Sequence, residues 1–191
     1  MTCAATRSGS GFRCGGRIGP QSALAVTSAP TAREFVLAII AGDTERVRKL
    51  RAAGASVTEA DQYGWQPIHR AAANDRDEII RLLVEWGSPL EATGTESWTP
   101  LHLASASRSD RAVAALLRAG ANVHARSSSG ATPLHLAIGL TVTPGSLETV
   151  CILMAAGSNP NAADHQSRSP LDRAREIGDP ALLTALRERA T

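Results

Sequence analysis

Aromatic side chains are scarce in this chain. Six of its 191 residues are Phe, Tyr or Trp, against 34 alanines. A core built around large rings is therefore excluded, and close-packed small and aliphatic side chains must fill it. No stretch approaches 18 uninterrupted apolar residues, which excludes a membrane-spanning helix. An excess of either charge is missing too. Twenty basic groups face 18 acidic ones, a net of +2, so no global electrostatic case exists for nucleic acid or a membrane surface. Cys3, Cys14 and Cys151 are too few and too scattered for a CxxC pair or a zinc-ligand spacing. They predict a reduced, intracellular protein, expected to be cytoplasmic. Cys151, in the apolar run from Val150 to Met154, reads as a small buried hydrophobe.

The first thirty residues lack acidic groups altogether and carry Arg7, Arg13 and Arg17 among glycines and serines. Their apolar surface is too small to offset the entropy of ordering them. We expect a disordered arm over residues 1–30 and a folded domain over 31–191. Ser22 to Val26 is too short for the apolar centre of a signal peptide. A targeting leader and a mis-called start fit the same composition. Gly9-Ser10-Gly11 follows no strand pattern, which argues against a phosphate-binding loop.

An internal repeat organises the remainder. Gln66-Pro67-Ile68-His69 recurs as Thr99-Pro100-Leu101-His102 and Thr132-Pro133-Leu134-His135, with a degenerate copy at Ser169-Pro170-Leu171-Asp172. The prolines are 33, 33 and 37 residues apart. Gly54, Gly87, Gly120 and Gly157 show the same spacing of 33, 33 and 37, with the same four-residue insertion. Each marker has a physical reason. Thr99, Thr132 and Ser169 offer hydroxyls to the free amides of a helix start. The proline that follows occupies the first helical position, where its missing N–H costs nothing. The glycines end a second helix in the left-handed conformation. Asp43, Ser109, Ser146 and Asp179 mark further helix starts between them. Every unit thus reads as turn, helix, tight turn, helix, loop, and the fold class is all-α.

These residues resemble the ankyrin-repeat family, whose period is 33 and whose signature is T-P-L-H-x-A. The fullest matches are Thr99 to Ala104 and Thr132 to Ala137. Ala53-Gly54-Ala55-Ser56-Val57 and Ala119-Gly120-Ala121-Asn122-Val123 match the loop that ends a repeat. The resemblance covers about residues 31–191 and implies a solenoid of helix-turn-helix units with short β-hairpin-like loops. The units are expected at about 31–61, 62–94, 95–127, 128–164 and 165–191. Departures are visible. Gln66 replaces the capping Thr, Arg108 the usual inter-helix Gly, and Gly94 and Ser127 stand where Asp is common. The first helix, Phe35 to Ile40, is apolar almost all round. Ile18, Leu24 and Val26 of the arm, or another chain, are expected to cover it.

Catalytic and metal chemistry find little support. His69, His102 and His135 occupy equivalent places on stacked helices, roughly 8–10 Å apart. Metal-bound nitrogens must each lie about 2 Å from one ion. The expected role is a local hydrogen bond tying each helix start to the neighbouring loop. Asp75, Asp77 and Glu78 read as charge complementing a helix N-terminus. No nucleophile sits at a useful spacing from a base, so the chain is read as a non-enzyme without cofactor or metal.

The resemblance instead implies protein or peptide binding on the concave face of hairpin tips and first helices. Carried over, the tip positions include Gln62, Tyr63 and Trp65; Thr95, Glu96 and Trp98; Ser128 and Ser129; and Gln166 and Arg168. Asn74, Ser107 and Leu140 are the first-helix counterparts. All three Trp and the single Tyr fall between residues 63 and 98. Aromatics bury large area with few rotors, so Tyr63, Trp65 and Trp98, edged by Trp86 and Asn74, form the expected patch. For Trp65 and Trp98, packing between hairpins is an equal alternative, and Trp86 reads first as a packing residue. The insertion over Gly139 to Ser146 makes Leu140 and Val142 secondary candidates, although a tolerated insertion without function is the first reading. A monomer is expected. A regulatory subunit of an enzyme, or weak nucleic-acid binding through the Arg-containing arm, are the alternatives.

Overall fold

The computed structural model describes residues 31–139 and 147–187. The arm over residues 1–30, with the cover expected from Ile18, Leu24 and Val26, lies outside the described residues. So do Leu140, Val142 and the helix start expected at Ser146. Among the described residues there are ten α-helices and no β-strand. They run in chain order as α1 (Ala32–Ala41), α2 (Thr44–Ala52), α3 (Pro67–Ala73), α4 (Asp77–Glu85), α5 (Pro100–Ala106), α6 (Asp110–Arg118), α7 (Pro133–Ile138), α8 (Leu147–Ala155), α9 (Pro170–Ile177) and α10 (Pro180–Arg187).

The helices form two rows. α1, α3, α5, α7 and α9 pack side by side in sequence, and so do α2, α4, α6, α8 and α10. Five antiparallel pairs stack in this way into the solenoid that the 33-residue spacing predicts. One leucine of the second row recurs at the same register in four units. Leu83, Leu116, Leu153 and Leu186 are all completely buried. In the first row Ile68, Leu101 and Leu134 play the same part. Each such side chain contributes about 2 kcal/mol of burial. Alanines fill the narrow spaces between helices: Ala71, Ala72, Ala104, Ala112 and Ala137 are almost wholly enclosed. Cys151 is half-buried on α8 rather than enclosed as expected.

Neighbouring units satisfy each other's helix ends. The Arg76 guanidinium donates to the Ile40 carbonyl at 3.1 and 2.8 Å. One unit on, the Ser109 hydroxyl donates to the Ala73 carbonyl at 3.3 Å. Ser109 stands at the start of α6 as predicted, but its hydroxyl serves the previous unit instead of its own helix. Asp75 caps α6 in its place. Its carboxylate accepts from the Ala112 amide at 2.8 Å and from Arg111 at 2.9 Å. Asp77 and Glu78 lie in the first turn of α4 as read from the sequence, whereas Asp75 belongs to the next unit's helix. The segment carrying Asp75 turns at φ 56°, and Arg108 repeats that left-handed turn at φ 57°. Gly42 and Gly178 make the corresponding turns at φ 79° and 73° without a Cβ to crowd.

The first unit opens with a capping box that our sequence reading missed. Thr31 Oγ1 accepts from the Glu34 amide at 3.2 Å, and the Glu34 carboxylate accepts from the Thr31 amide at 3.2 Å. The Thr-x-x-Glu spacing was the signal that could have found it. On α1, Phe35, Ala38 and Ile39 are buried, Val36 and Ile40 half-buried, and Leu37 is 53% exposed.

Gln66 marks the weak start. Its Oε1 is buried with no hydrogen-bond partner, at the place where Thr99 and Ser169 accept amides of their own helices. Replacing Gln66 by Thr removes a buried, unmatched oxygen and supplies a capping hydroxyl. We expect Gln66→Thr to raise the unfolding free energy by about 1 kcal/mol, read from urea denaturation. An unchanged or lower midpoint would contradict this account of the cap.

Candidate functional site: the hairpin face

The loops between units form a row of narrow hairpins. Each is closed by two backbone hydrogen bonds at equivalent places. In the hairpin joining the first and second units the Asp61 amide donates to the Trp65 carbonyl and the Gly64 amide to the Asp61 carbonyl, at 3.0 and 2.9 Å. The pairs Gly94–Trp98, Ser127–Ala131 and Asp164–Arg168 repeat the outer bond at 3.0, 2.9 and 2.9 Å. The tips are also tied to one another in series. Thr95 Oγ1 donates to the Tyr63 carbonyl at 2.6 Å. The Ser128 amide donates to the Glu96 carbonyl at 2.9 Å, and the His165 amide to the Ser129 carbonyl at 3.0 Å. A lattice of this kind ties each tip to the next along the face.

Beneath the tips, the histidines act as the sequence suggests. His102 Nδ1 accepts from the Thr99 amide at 3.2 Å, and Nε2 donates to the Ala131 carbonyl at 3.1 Å. His69 repeats this with Gln66 and the Trp98 carbonyl, and His135 with Thr132 and the Arg168 carbonyl. An acceptor role for Nδ1 leaves the proton on Nε2 and the ring neutral. Burial holds all three rings below the usual histidine value, although the carbonyl partners work in the opposite direction. Both nitrogens of each ring are occupied, which leaves none for an ion. No group of three or more metal-ligating side chains occurs among the described residues.

Asp61 and Asp164 brace their tips. Asp61 Oδ1 accepts from the Tyr63 and Trp65 amides at 2.8 and 3.1 Å, and the carboxylate also pairs with Arg70. Burial raises its carboxyl, but the Arg70 hydrogen bond and the two amides together bring it below the usual range. Asp164 accepts from the Gln166 and Arg168 amides at 2.8 and 3.0 Å. The hairpin joining the second and third units has Gly94 at this position. The Trp65 ring covers it so closely that a Cβ on residue 94 would stand 2.3 Å from a ring carbon. The tip then closes through left-handed Glu96 and Ser97, at φ 57° and 55°. Trp65 lies half-buried, its ring 5.1 Å from His69 and 6.5 Å from Trp98, tilted to both.

Two hollows open on this face. One, of about 480 Å3, is lined by Arg33 and Val36 of α1 with Glu59, Gln62, Tyr63 and Arg70. Tyr63 is 57% exposed, and the Arg70 guanidinium lies 5.8 Å from its ring centre. The other, of about 400 Å3, lies between Glu96 and Trp98 on one side and Gln166, Arg168 and Arg173 on the other. Ser129, Ala131 and Leu136 line it between them.

The sequence-derived positions therefore divide. Tyr63 lines the first hollow; Glu96, Trp98, Ser129 and Arg168 line the second. Thr95 and Ser128 are exposed tip residues that also link adjacent tips. Asn74 ends α3 with its amide on the Arg70 carbonyl at 2.8 Å, and Ser107 is exposed at the end of α5. Trp86 lies at the end of second-row α4, packed against the core and lining neither hollow. Leu140 is outside the described residues. Arg33 and Val36 of α1 and Leu136 of α7 join the hollows without having been singled out, because only folding brings these helices beside neighbouring tips.

No helix among the described residues is long and apolar enough to cross a membrane. A human protein, protein phosphatase 1 regulatory subunit 27, is 32% identical over 59 residues, which cover 31% of this chain and 38% of the relative. The match thus spans well under half of that protein. The family model described as ankyrin repeats in three copies matches residues 87–164, and a second, described as ankyrin repeats in many copies, matches residues 35–84. With the repeated helix pairs, the hairpin row and the histidine bonds in place, this chain belongs to the ankyrin-repeat family.

Proposed function

We propose that the chain recognises a protein or peptide partner on its hairpin face and carries out no chemistry of its own. Ankyrin repeats form protein-interaction modules, which supports the general reading. The observation that carries the finer one is the pair of hollows, set on a row of tips already locked by hydrogen bonds, with Tyr63 in one and Trp98 in the other. A preformed surface avoids the ordering cost that a mobile one would incur on binding. Exposed aromatic area beside it supplies the anchors. A single cytoplasmic chain is the form in which we place this activity.

The test is affinity capture from the native source. A Tyr63→Ala/Trp98→Ala chain should lose its partner by about 30-fold in affinity while remaining folded by circular dichroism, with melting lowered only by the lost Trp98–Trp65 contact. Full retention of the partner would remove the hairpin face from the reading.

A second reading is a regulatory subunit acting on an enzyme. The similarity to a phosphatase regulatory subunit favours it, over a match limited to 59 residues. A captured enzyme whose turnover changes when the purified chain is added would support it. Nucleic-acid binding through Arg7, Arg13 and Arg17 concerns residues outside those described.

A further inference from the structure

We propose that the hollow between the third and fifth units takes an extended peptide segment with a basic side chain at one end, an acidic one at the other and apolar residues between. This rests on the hairpin face being a binding surface and specifies the chemistry of its occupant. The hollow exists because the fourth tip is short of bulk: Ser127, Ser128, Ser129 and Ala131 stand between the larger residues on either side. Its two ends carry opposite charge. Glu96 is exposed and makes no salt bridge among the described residues. Arg168 is exposed at the other end, where its guanidinium meets the side-chain oxygen of Gln166 and lies within the field of the Asp164 carboxylate.

The remaining charges nearby are already engaged. Asp164 faces the amides of its own tip. Arg173 is held by the Gly139 carbonyl at 3.3 Å and by Glu176 at 3.2 Å. The exposed, unbridged charges are therefore the Glu96 carboxylate at one end and the Arg168 guanidinium at the other, where Arg173 adds positive charge and Asp164 offsets part of it. Half-buried Trp98 offers apolar area between the two ends, over a floor that includes buried Leu136. The exposed Ser129 hydroxyl, bonded to Ser127 at 2.9 Å, keeps hydrogen-bonding capacity for the backbone of a chain laid across it. Two unit steps of roughly 8–10 Å separate the ends, a span of about five to six extended residues. A like-charged segment would face repulsion at one end, which is the basis of the selectivity.

Three short fluorescein-labelled peptides test this against the full chain at low ionic strength. Each carries two central leucines flanked by charged residues at the spacing above: Lys and Glu, Lys and Lys, or Glu and Glu. Fluorescence anisotropy should show the mixed peptide binding about fivefold tighter than either other. Arg168→Glu should move the preference to the Lys/Lys peptide, and Glu96→Lys to the Glu/Glu peptide, with melting curves unchanged. Equal affinities, an order that the variants leave unaltered, or no binding by any of the three overturns the proposal. So does self-association in sedimentation that the peptides compete away, since it assigns the hollow to a second copy. Failure of the wider reading looks different. A natural partner lost with Tyr63→Ala/Trp98→Ala but indifferent to Glu96→Lys and Arg168→Glu sinks the charge pattern and keeps the binding face.

Discussion

Trp65→Ala should lower the unfolding free energy by about 2 kcal/mol, and placing Asp at residue 94 on that background should recover part of the loss. The ring is half-buried, which puts the cost below that of a fully enclosed tryptophan. It packs on Gly94, His69 and Trp98. In the parent chain Gly94→Asp is itself destabilising, because its Cβ would stand 2.3 Å from the Trp65 ring. Once the ring is gone, Asp at 94 can accept the amides of Glu96 and Trp98, as Asp61 and Asp164 do in their own tips. The two losses should therefore fail to add by about 2 kcal/mol in a double-mutant cycle read from urea midpoints. Additive losses would mean that the ring and the missing carboxylate are unrelated. The cycle also addresses whether Trp65 packs or binds, since the coupling needs no partner.

His102→Ala should cost about 3 kcal/mol, because it strands the Thr99 amide and the Ala131 carbonyl in a buried place and leaves a cavity. Its pH signature is separable from the loss of packing. Burial depresses His69, His102 and His135 from the usual 6.5. Protonation would also place a hydrogen on Nδ1, facing the amide that now donates to it. Below pH 6.5 the unfolded chain takes up more protons than the folded one, so stability falls as the pH drops through the depressed folded values. Above 6.5 the contribution of these rings is complete. A second decline follows below 3.8, where Asp61, Asp164 and Asp172, each held low in the fold, take up protons in the unfolded chain first. Urea titrations across this range should show a shallower first decline in His102→Ala than in the parent. An identical slope would show that the rings do not carry it.

The repeat was legible because its markers are local and carry their own mechanism. A hydroxyl or proline at a helix start, and a glycine at a helix end, obey rules that need no knowledge of neighbours. Pro67, Pro100, Pro133 and Pro170 each begin a helix. His102 was readable for the same reason, since its Nδ1 bond spans three residues. What escaped were the bonds between units. Ser109 looks like a cap for α6, yet it serves Ala73, 36 residues earlier. Asp75 looks like a charge for α4, yet it caps α6 at Ala112, 37 residues later. Gly94 reads as a weakened turn, and only the packed Trp65 ring explains it. Of the candidate site, the tip residues Tyr63, Glu96, Trp98, Ser129 and Arg168 came from the family resemblance laid onto the repeat. The hollows they line were not legible there, because depth depends on what α1 and the short fourth tip leave empty.

The imidazole bonds all run one way along the array. His69 reaches forward to Trp98, His102 to Ala131 and His135 to Arg168, and none reaches back. The solenoid thus has a grain, like lapped tiles. Trimming it from the carboxyl end strands an enclosed ring with nothing to donate to, while trimming from the amino end merely frees a carbonyl.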